Sequence, residues 1–425
     1  MLVSRRFWIG VPAVAAGAFL LTACGGSVQP SVPQTARTLA QTAALPVPSV
    51  PYQVIYPFGG GSDGGNPETP LVFDPQGNAY GTTVQGGSAG CGTIFRLHPA
   101  AHGQWQERVL YNFTCFADGK NPHGGVVRDA LGNLYGTTTA GGVNGGCAGD
   151  GCGVVFELKH TGGIATLHTF AGGGDGFGPG SPLTFDSAGN LYGTAPDGGK
   201  FGFGTVFTLQ QSGGSWYFHA IHQFSGGNGG GTGSLGALLV DAHGTIFGVT
   251  ETGGAHQAGI AYTLTPNGSA WTFAPVYTFK GTPDAGSPYG GLIENGGKLY
   301  GTTYFGGRSG AGSVFELTPK AGTYGERVVY SFKGGKDGSS PTSSLLASAS
   351  GVLYGTTSAG GSGCGCGTVF SIAPGSFAES VLHSFGAHND GQSPYFGLTA
   401  SGKSLYSSTV AGGTGGSGTI FSITP

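Results

Sequence analysis

One unit of about 54 residues recurs seven times between residue 53 and the C-terminus, and that periodicity leaves few folds open. The aromatic of its first motif falls at Tyr80, Tyr135, Tyr192, Phe247, Tyr300, Tyr354 and Tyr406, at spacings of 55, 57, 55, 53, 54 and 52 residues. The aromatic of its second motif falls at Phe95, Phe156, Phe207, Tyr262, Phe315, Phe370 and Phe421. Gly accounts for 90 of the 425 residues, roughly three times the usual share, and it interrupts every window long enough for a helix. The repeats are therefore built from strands.

Each unit supplies four strand segments. Strand a is a short apolar run, as at residues 71–74 or 125–128. Strand b is of the Leu-Tyr-Gly-Thr-Thr type, as at 134–138. Strand c reads Gly-Thr-Val-Phe-x-Leu, alternating and β-branched. Strand d ends in two aromatics two residues apart, such as Tyr111 and Phe113 or Tyr330 and Phe332. Four strands of about five residues, joined by turns, make one propeller blade.

The ends of the repeat region are complementary. It opens on a d-type segment, residues 53–58, and finishes on a c-type segment, residues 418–423. The last blade thus lacks a d strand, and the first segment lacks a blade. Laying 53–58 beside 419–423 completes seven blades and removes two open edges that would otherwise invite aggregation. The expected fold is all-β: a seven-bladed β-propeller over residues 53–425, closed by an N-terminal strand in the last blade.

The pattern Gly-x-Leu-Tyr-Gly-Thr-Thr-x-x-Gly-Gly, followed by Gly-Thr-Val-Phe-x-Leu, resembles the GloVer tandem repeat of bacterial extracytoplasmic proteins with varied anchors. The resemblance covers nearly all of residues 53–425. It implies an exported, anchored repeat protein and transfers no catalytic residue. Two copies depart from the pattern: Phe247-Gly248-Val249-Thr250 with Ile260-Ala261-Tyr262, and Leu405-Tyr406-Ser407-Ser408. Any ring of equivalent sites is expected to break in the fourth blade.

The N-terminus reads as an address. Arg5 and Arg6 precede an apolar, Ala- and Gly-rich run that is short for a spanning helix. Leu21-Thr22-Ala23-Cys24 resembles a bacterial lipobox, which implies cleavage after residue 23 and lipid on the Cys24 sulfur. Ser4-Arg5-Arg6-Phe7-Trp8 loosely resembles a twin-arginine signal. Residues 24–52 hold the lipidated Cys and a Pro-, Ser- and Thr-rich tether that cannot build a core. Loss of residues 1–23 removes two bases and no acid, which leaves 15 basic against 20 acidic residues and a formal charge of −5. The chain is placed in the cell envelope, on the extracytoplasmic side of a bacterial membrane. A balance of that sign argues against a nucleic-acid partner, and a monomer is expected.

In an up-and-down blade the b–c loop and the d–a link emerge on one face. The b–c loops open with Gly-Gly, from Gly86-Gly87 to Gly412-Gly413, and read as tight turns rather than a phosphate loop. The links place an acid four residues before a Pro: Asp63, Asp118, Asp175, Asp284, Asp337 and Asp390, with Asn228 and Thr232 in those places in the fourth link. These carboxylates fit an Asx-type turn. They also fit a ring of acceptors for calcium or sugar hydroxyls, although calcium loops usually gather several carboxylates in one segment. No other cofactor is expected. His168, His222 and His383 lie two residues before the closing Phe of strand d, where other copies have Tyr56, Tyr111, Tyr277 and Tyr330. They read as structural substitutes. No zincin His pair or Gly-x-Ser-x-Gly elbow occurs.

Six Cys remain after Cys24, an even number in an exported chain, so disulfides are expected. Pairing Thr93 with Phe113 across strands c and d would set Cys91 opposite Cys115. Cys147 and Cys152 share one b–c loop, and Cys364 and Cys366 share the equivalent loop four blades on. Zinc is the alternative there, but the two loops are not neighbours.

These features favour a binding or adhesion module for a glycan or protein ligand, held to the membrane by its lipid. A carbohydrate-active or lyase-type propeller enzyme, or a purely structural envelope protein, is the alternative. The non-repeated candidates for chemistry, His123, Glu251, His256 and Arg308, are scattered through the sequence. Cys24→Ala is expected to move the protein from the membrane to the soluble fraction; unchanged partition would refute the lipid anchor.

Overall fold

The computed structural model describes residues 50–425 apart from 143–146, 148 and 387–388. Cys24, the signal segment and nearly all of the tether lie outside the described residues. Within them the chain forms seven antiparallel sheets in sequence order, each a blade of a seven-bladed β-propeller. The first blade is Val72–Phe73, Ala79–Thr83, Thr93–Pro99 and Trp105–Asn112. The seventh takes Thr399–Ser401, Ser404–Thr409 and Thr419–Ile423 from the C-terminal end, and Tyr52–Pro57 from the start of the propeller. Tyr52 stands opposite Ile423 and Pro57 opposite Thr419, so the first strand closes the ring from one residue earlier than the sequence pattern marked.

The core is a series of seven contacts between neighbours. The closing Phe of each d strand packs edge-on against the c-strand aromatic of the next blade. Phe58 meets Phe95, Phe113 meets Phe156, and the series continues to Phe385 against Phe421. All seven pairs have centroid separations of 4.9 to 5.4 Å and interplanar angles of 61° to 71°. Such edge-to-face pairs add about 0.5–1.5 kcal/mol to what burial alone contributes. The apolar clusters likewise each span two adjacent blades, including one that joins Phe58 and Ile420 of the seventh blade to Leu71 and Phe95 of the first.

This packing explains the Gly within strand b. A Cβ on Gly355 would lie 2.5 Å from Phe370 Cζ and 3.0 Å from Leu345 Cδ2, and Gly301 stands in the same relation to Phe315. The aromatic ring of strand c lies flat across a strand that has no side chain there. The seventh blade puts Ser407 at this position, and its hydroxyl donates to the carbonyls of Phe396 and Gly397. Hydroxyls of strand b also tie blades together. Thr82 donates to Pro122 O, Thr302 to Ser343 O, and Ser408 to Thr69 O across the ring closure. The b-strand Tyr binds its own a–b turn: Tyr80 donates to Asp74 at 2.8 Å, and Tyr135 and Tyr192 do the same to Asp129 and Asp186.

The register of strands c and d differs from the expected one. Thr93 pairs with Asn112, not Phe113, and a bulge between Ile94 and Phe95 shifts the ladder again. The bulge recurs at the same place in other blades, as between Val314 and Phe315. A bulge adds one unpaired residue to one strand, which residue counting does not reveal. Cys91 and Cys115 still bond, with Cα atoms 5.5 Å apart, because the chain turns at Cys115 with φ of 72°. Cys147 bonds Cys152, and Cys364 bonds Cys366.

Gly355→Ala is expected to lower stability by about 1–3 kcal/mol, because the added Cβ overpacks a filled interface even though Ala can adopt the backbone conformation there. Chemical unfolding would measure this, and an unchanged midpoint would show that the ring does not need the bare strand.

Candidate functional site

The d–a links and b–c loops meet on one face through backbone bridges, Gly65 with Gln85, Lys120 with Ala140 and Ser339 with Ala359. The link carboxylates turn inward. Asp118 Oδ2 accepts from Thr114 N at 2.7 Å and from the Tyr111 hydroxyl at 2.9 Å. Asp63 accepts from Gly59 N, Asp175 from Ala171 N, and Asp337 from Lys333 N, in each case the amide four residues back. The second donor is the aromatic seven residues back. It is Tyr277 for Asp284 at 3.0 Å, His168 Nε2 for Asp175 at 3.2 Å, and His383 Nε2 for Asp390 at 2.9 Å. These aromatics are the ones two before the closing Phe. The two features that were separate in the sequence are thus one turn. Among the described residues, no group of three or more His, Cys, Asp or Glu is placed to hold a metal ion.

A pairing rule extends this turn to the next blade. Where the aromatic is His, the facing position six before the next closing Phe is also aromatic. His168 stacks on Phe218, His222 on Phe273 and His383 on Tyr52, with centroids 3.7, 4.1 and 3.7 Å apart. Where it is Tyr56, Tyr277 or Tyr330, that position is Glu107, Glu326 or Glu379, and for Tyr111 it is Ile164. Tyr277 lies 3.5 Å from Glu326 Oε2, and Tyr330 lies 3.4 Å from Glu379 Oε2. Burial and then the nearby Asp63 push the Glu107 carboxyl up to about 7. Burial and then Asp337 do the same to Glu379, also to about 7, against the opposing pull of the Tyr330 hydrogen bond and then of Lys333. In the fourth link a short helix, Gly227–Gly230, replaces the Asp turn. His222 Nε2 is there buried without a hydrogen-bond partner, and burial lowers its pKa to about 4.

Several of the residues that break the repeat lie near one another on this face. The position after the link Pro is Glu68, His123, Gly180, Gly233, Tyr289, Thr342 and Tyr395 in blade order; the position after strand b includes Glu251 and Tyr304. His123 Nδ1 meets Glu68 Oε2 at 2.8 Å between the first and second blades. Tyr289 and Tyr304 have centroids 6.3 Å apart. Burial raises the Tyr289 phenol, and Glu251, Tyr395, Glu68 and Tyr304 raise it further, in that order. Burial raises Tyr395 too, followed by Tyr304 and Glu68. Groups from the first, fourth, fifth and seventh blades act on one another only because all four reach the axial mouth.

His123 and Glu251, picked out in the sequence as unrepeated, belong to this mouth, whereas His256 and Arg308 are exposed in their b–c loops. Glu68, Tyr289, Tyr304 and Tyr395 were missed. A signal was present: the residue after the link Pro differs in nearly every copy, although the Pro before it recurs in six of the seven links. Exposed aromatics share the face. Of the eight large apolar residues most open to solvent, Phe116, Phe201, Phe203, Phe305 and Tyr395 lie in links or b–c loops.

The buried Glu groups give a pH signature. A carboxyl whose folded pKa is raised stabilises most below its unfolded pKa and loses that contribution as pH rises through the folded value. Stability is expected to fall between about pH 4.5 and pH 7 through Glu107 and Glu379. His222 acts in the opposite sense, because its folded pKa lies below the unfolded one. Thermal melts of Glu379→Gln across this range should show a shallower fall than wild type; parallel curves would exclude a raised Glu379 carboxyl.

The extracellular domain of BT4673 from B. thetaiotaomicron is similar in fold, with a TM-score of 0.53 at 10% identity. PorZ, a surface component of the type-IX secretion system of Porphyromonas gingivalis, scores 0.50 at 12% identity. The two alignments cover 87% and 84% of this chain but 39% and 46% of those chains, and at such identity they speak to fold alone. No curated protein matches the sequence. The pattern of the Gloeobacter/Verrucomicrobia repeat matches residues 45–235, 143–283 and 234–425. With the whole propeller covered by that pattern, the chain belongs to the Gloeobacter/Verrucomicrobia repeat family.

Proposed function

We propose that this propeller is an extracytoplasmic binding module, carried on the lipid at Cys24, that takes a glycan at its axial mouth. The supporting observation is the gathering of unrepeated and exposed aromatic residues on one face. Tyr289, Tyr304 and Tyr395 stand at the axis, with Phe305 exposed beside them and Phe116, Phe201 and Phe203 further out. Exposed aromatic surface concentrated in one place marks a contact site, and flat rings match the apolar faces of sugar rings. Glu68, Glu251 and His123 add groups that bond hydroxyls. The link Asp carboxylates serve their own turns and leave calcium no evident role in this reading. Three disulfides on the same face fit an oxidising compartment. Among the described residues, no helix is long and apolar enough to cross a membrane.

One observation favours the enzymatic alternative. The Glu68–His123 contact at 2.8 Å is a carboxylate–imidazole pair at the axis, a pairing that general acid–base chemistry uses. A glycan array distinguishes the readings. Retained binding that Tyr395→Ala abolishes is expected for the module. Shortened or unsaturated products recovered from bound glycans would point to the enzyme, and a blank array would refute a glycan site.

A further inference from the structure

We propose that the Cys364–Cys366 bond, on the face that carries the b–c loops, is a thiol–disulfide exchange site that oxidises accessible dithiols. It does not depend on the glycan reading above. Cys91, Cys152 and Cys366 occupy one position of the repeat, directly before the Gly that opens strand c. Each is anchored alike: its carbonyl accepts from an amide of the following link, Asn121, Gly178 and Ser393 in turn, at 2.7 to 3.0 Å. The bonds made from that position differ. Cys91 reaches 24 residues on and Cys152 reaches 5 residues back, whereas Cys366 joins Cys364 across a single Gly. Cys91 and Cys152 are buried, while Cys366 is half-buried and Cys364 is exposed.

Two properties set this bond apart. A cross-link restrains the unfolded chain less the shorter the loop it closes, so opening this one costs the propeller little. Exchange also requires a thiolate to reach a sulfur, and exposed disulfides are the labile ones. Here the approach is bare. A Cβ built on Gly363 or Gly365 would meet nothing within 4 Å. A Cβ on Gly386 of the link would crowd Cys364 Sγ at 3.0 Å, so the Gly leaves that sulfur open where a side chain would cover it. The first thiolate of a dithiol bonds Cys364 Sγ and expels Cys366 as a thiolate, which takes up the proton that the substrate released to solvent. The second thiolate of the dithiol then attacks its own first sulfur, closes the substrate disulfide and releases Cys364, which takes up the second proton. Two electrons pass from the dithiol to the protein. A low-molecular-weight disulfide restores the Cys364–Cys366 bond by the reverse exchange.

The order in which the three bonds open tests this. The mature, oxidised protein is exposed to reduced glutathione at about pH 7.5, where part of the thiol is ionised, then alkylated and peptide-mapped over time. Cys364 and Cys366 are expected to react roughly tenfold faster or more than Cys91, Cys115, Cys147 and Cys152. The glutathione adduct should sit on Cys364, and the melting temperature should hardly change. A reduced peptide with two cysteines, mixed with the oxidised protein, should lose about two thiols per protein. Cys364→Ser/Cys366→Ser should leave the peptide reduced, and Cys147→Ser/Cys152→Ser should oxidise it as wild type does. Opening of the three bonds at one rate, or undiminished peptide oxidation by Cys364→Ser/Cys366→Ser, overturns the proposal. So do free thiols at Cys364 and Cys366 in protein purified in air. A thermal melt showing that Cys364→Ser/Cys366→Ser fails to fold would make the bond a structural one and overturn it too.

Discussion

The contact on which the fold depends is one ring edge against another ring, beneath a strand that has no side chain. Each closing Phe reaches the c-strand aromatic of the next blade, and that aromatic lies across the Gly of its own strand b, or across Ser407 in the seventh blade. The contact passes from blade to blade and returns to its start through Phe58 on Phe95. A ring of this kind has no free end. Tyr52–Pro57 must therefore cross to the C-terminal sheet, since otherwise Phe95 would lack its partner.

A second set of contacts, polar and half-buried, surrounds this apolar ring. The link Asp fixes its own turn and holds the Tyr or His of the d strand before it. In six of the seven blades that aromatic is then faced by either a Glu or another aromatic from the next blade, and Tyr111 is faced by Ile164. The two combinations solve one problem in different ways. A Tyr–Asp pair stands beside a Glu whose carboxyl burial holds well above the usual range, while a His whose outer nitrogen bonds Asp has a flat face left to stack. The fourth blade has lost the Asp and keeps only the stacking, with His222 held neutral by burial.

The unrepeated side chains are placed where the repeat relaxes. Inside the blades nearly every position answers to a neighbour, and substitution there is constrained by packing. At the axial mouth the residue after the link Pro touches few of these contacts, so Glu68, His123, Gly180, Gly233, Tyr289, Thr342 and Tyr395 can differ from one another. A symmetric scaffold thus carries an asymmetric surface.

The sequence alone determined the number of blades, the order of strands within each and the strand that closes the ring. Those features repeat at a fixed period, and β-strand alternation and turn residues are local properties of the chain. It also showed the Asp of each link and the aromatic seven residues before it, but not that they bond, because the link must first turn back on strand d. Only the tertiary structure decided the c–d register, where a bulge moves Thr93 opposite Asn112. It alone brought Glu68 of the first blade into the field of Tyr289 of the fifth. These residues are 221 positions apart in the chain, and no local pattern relates them. They meet because a closed ring points one end of every blade at a common axis.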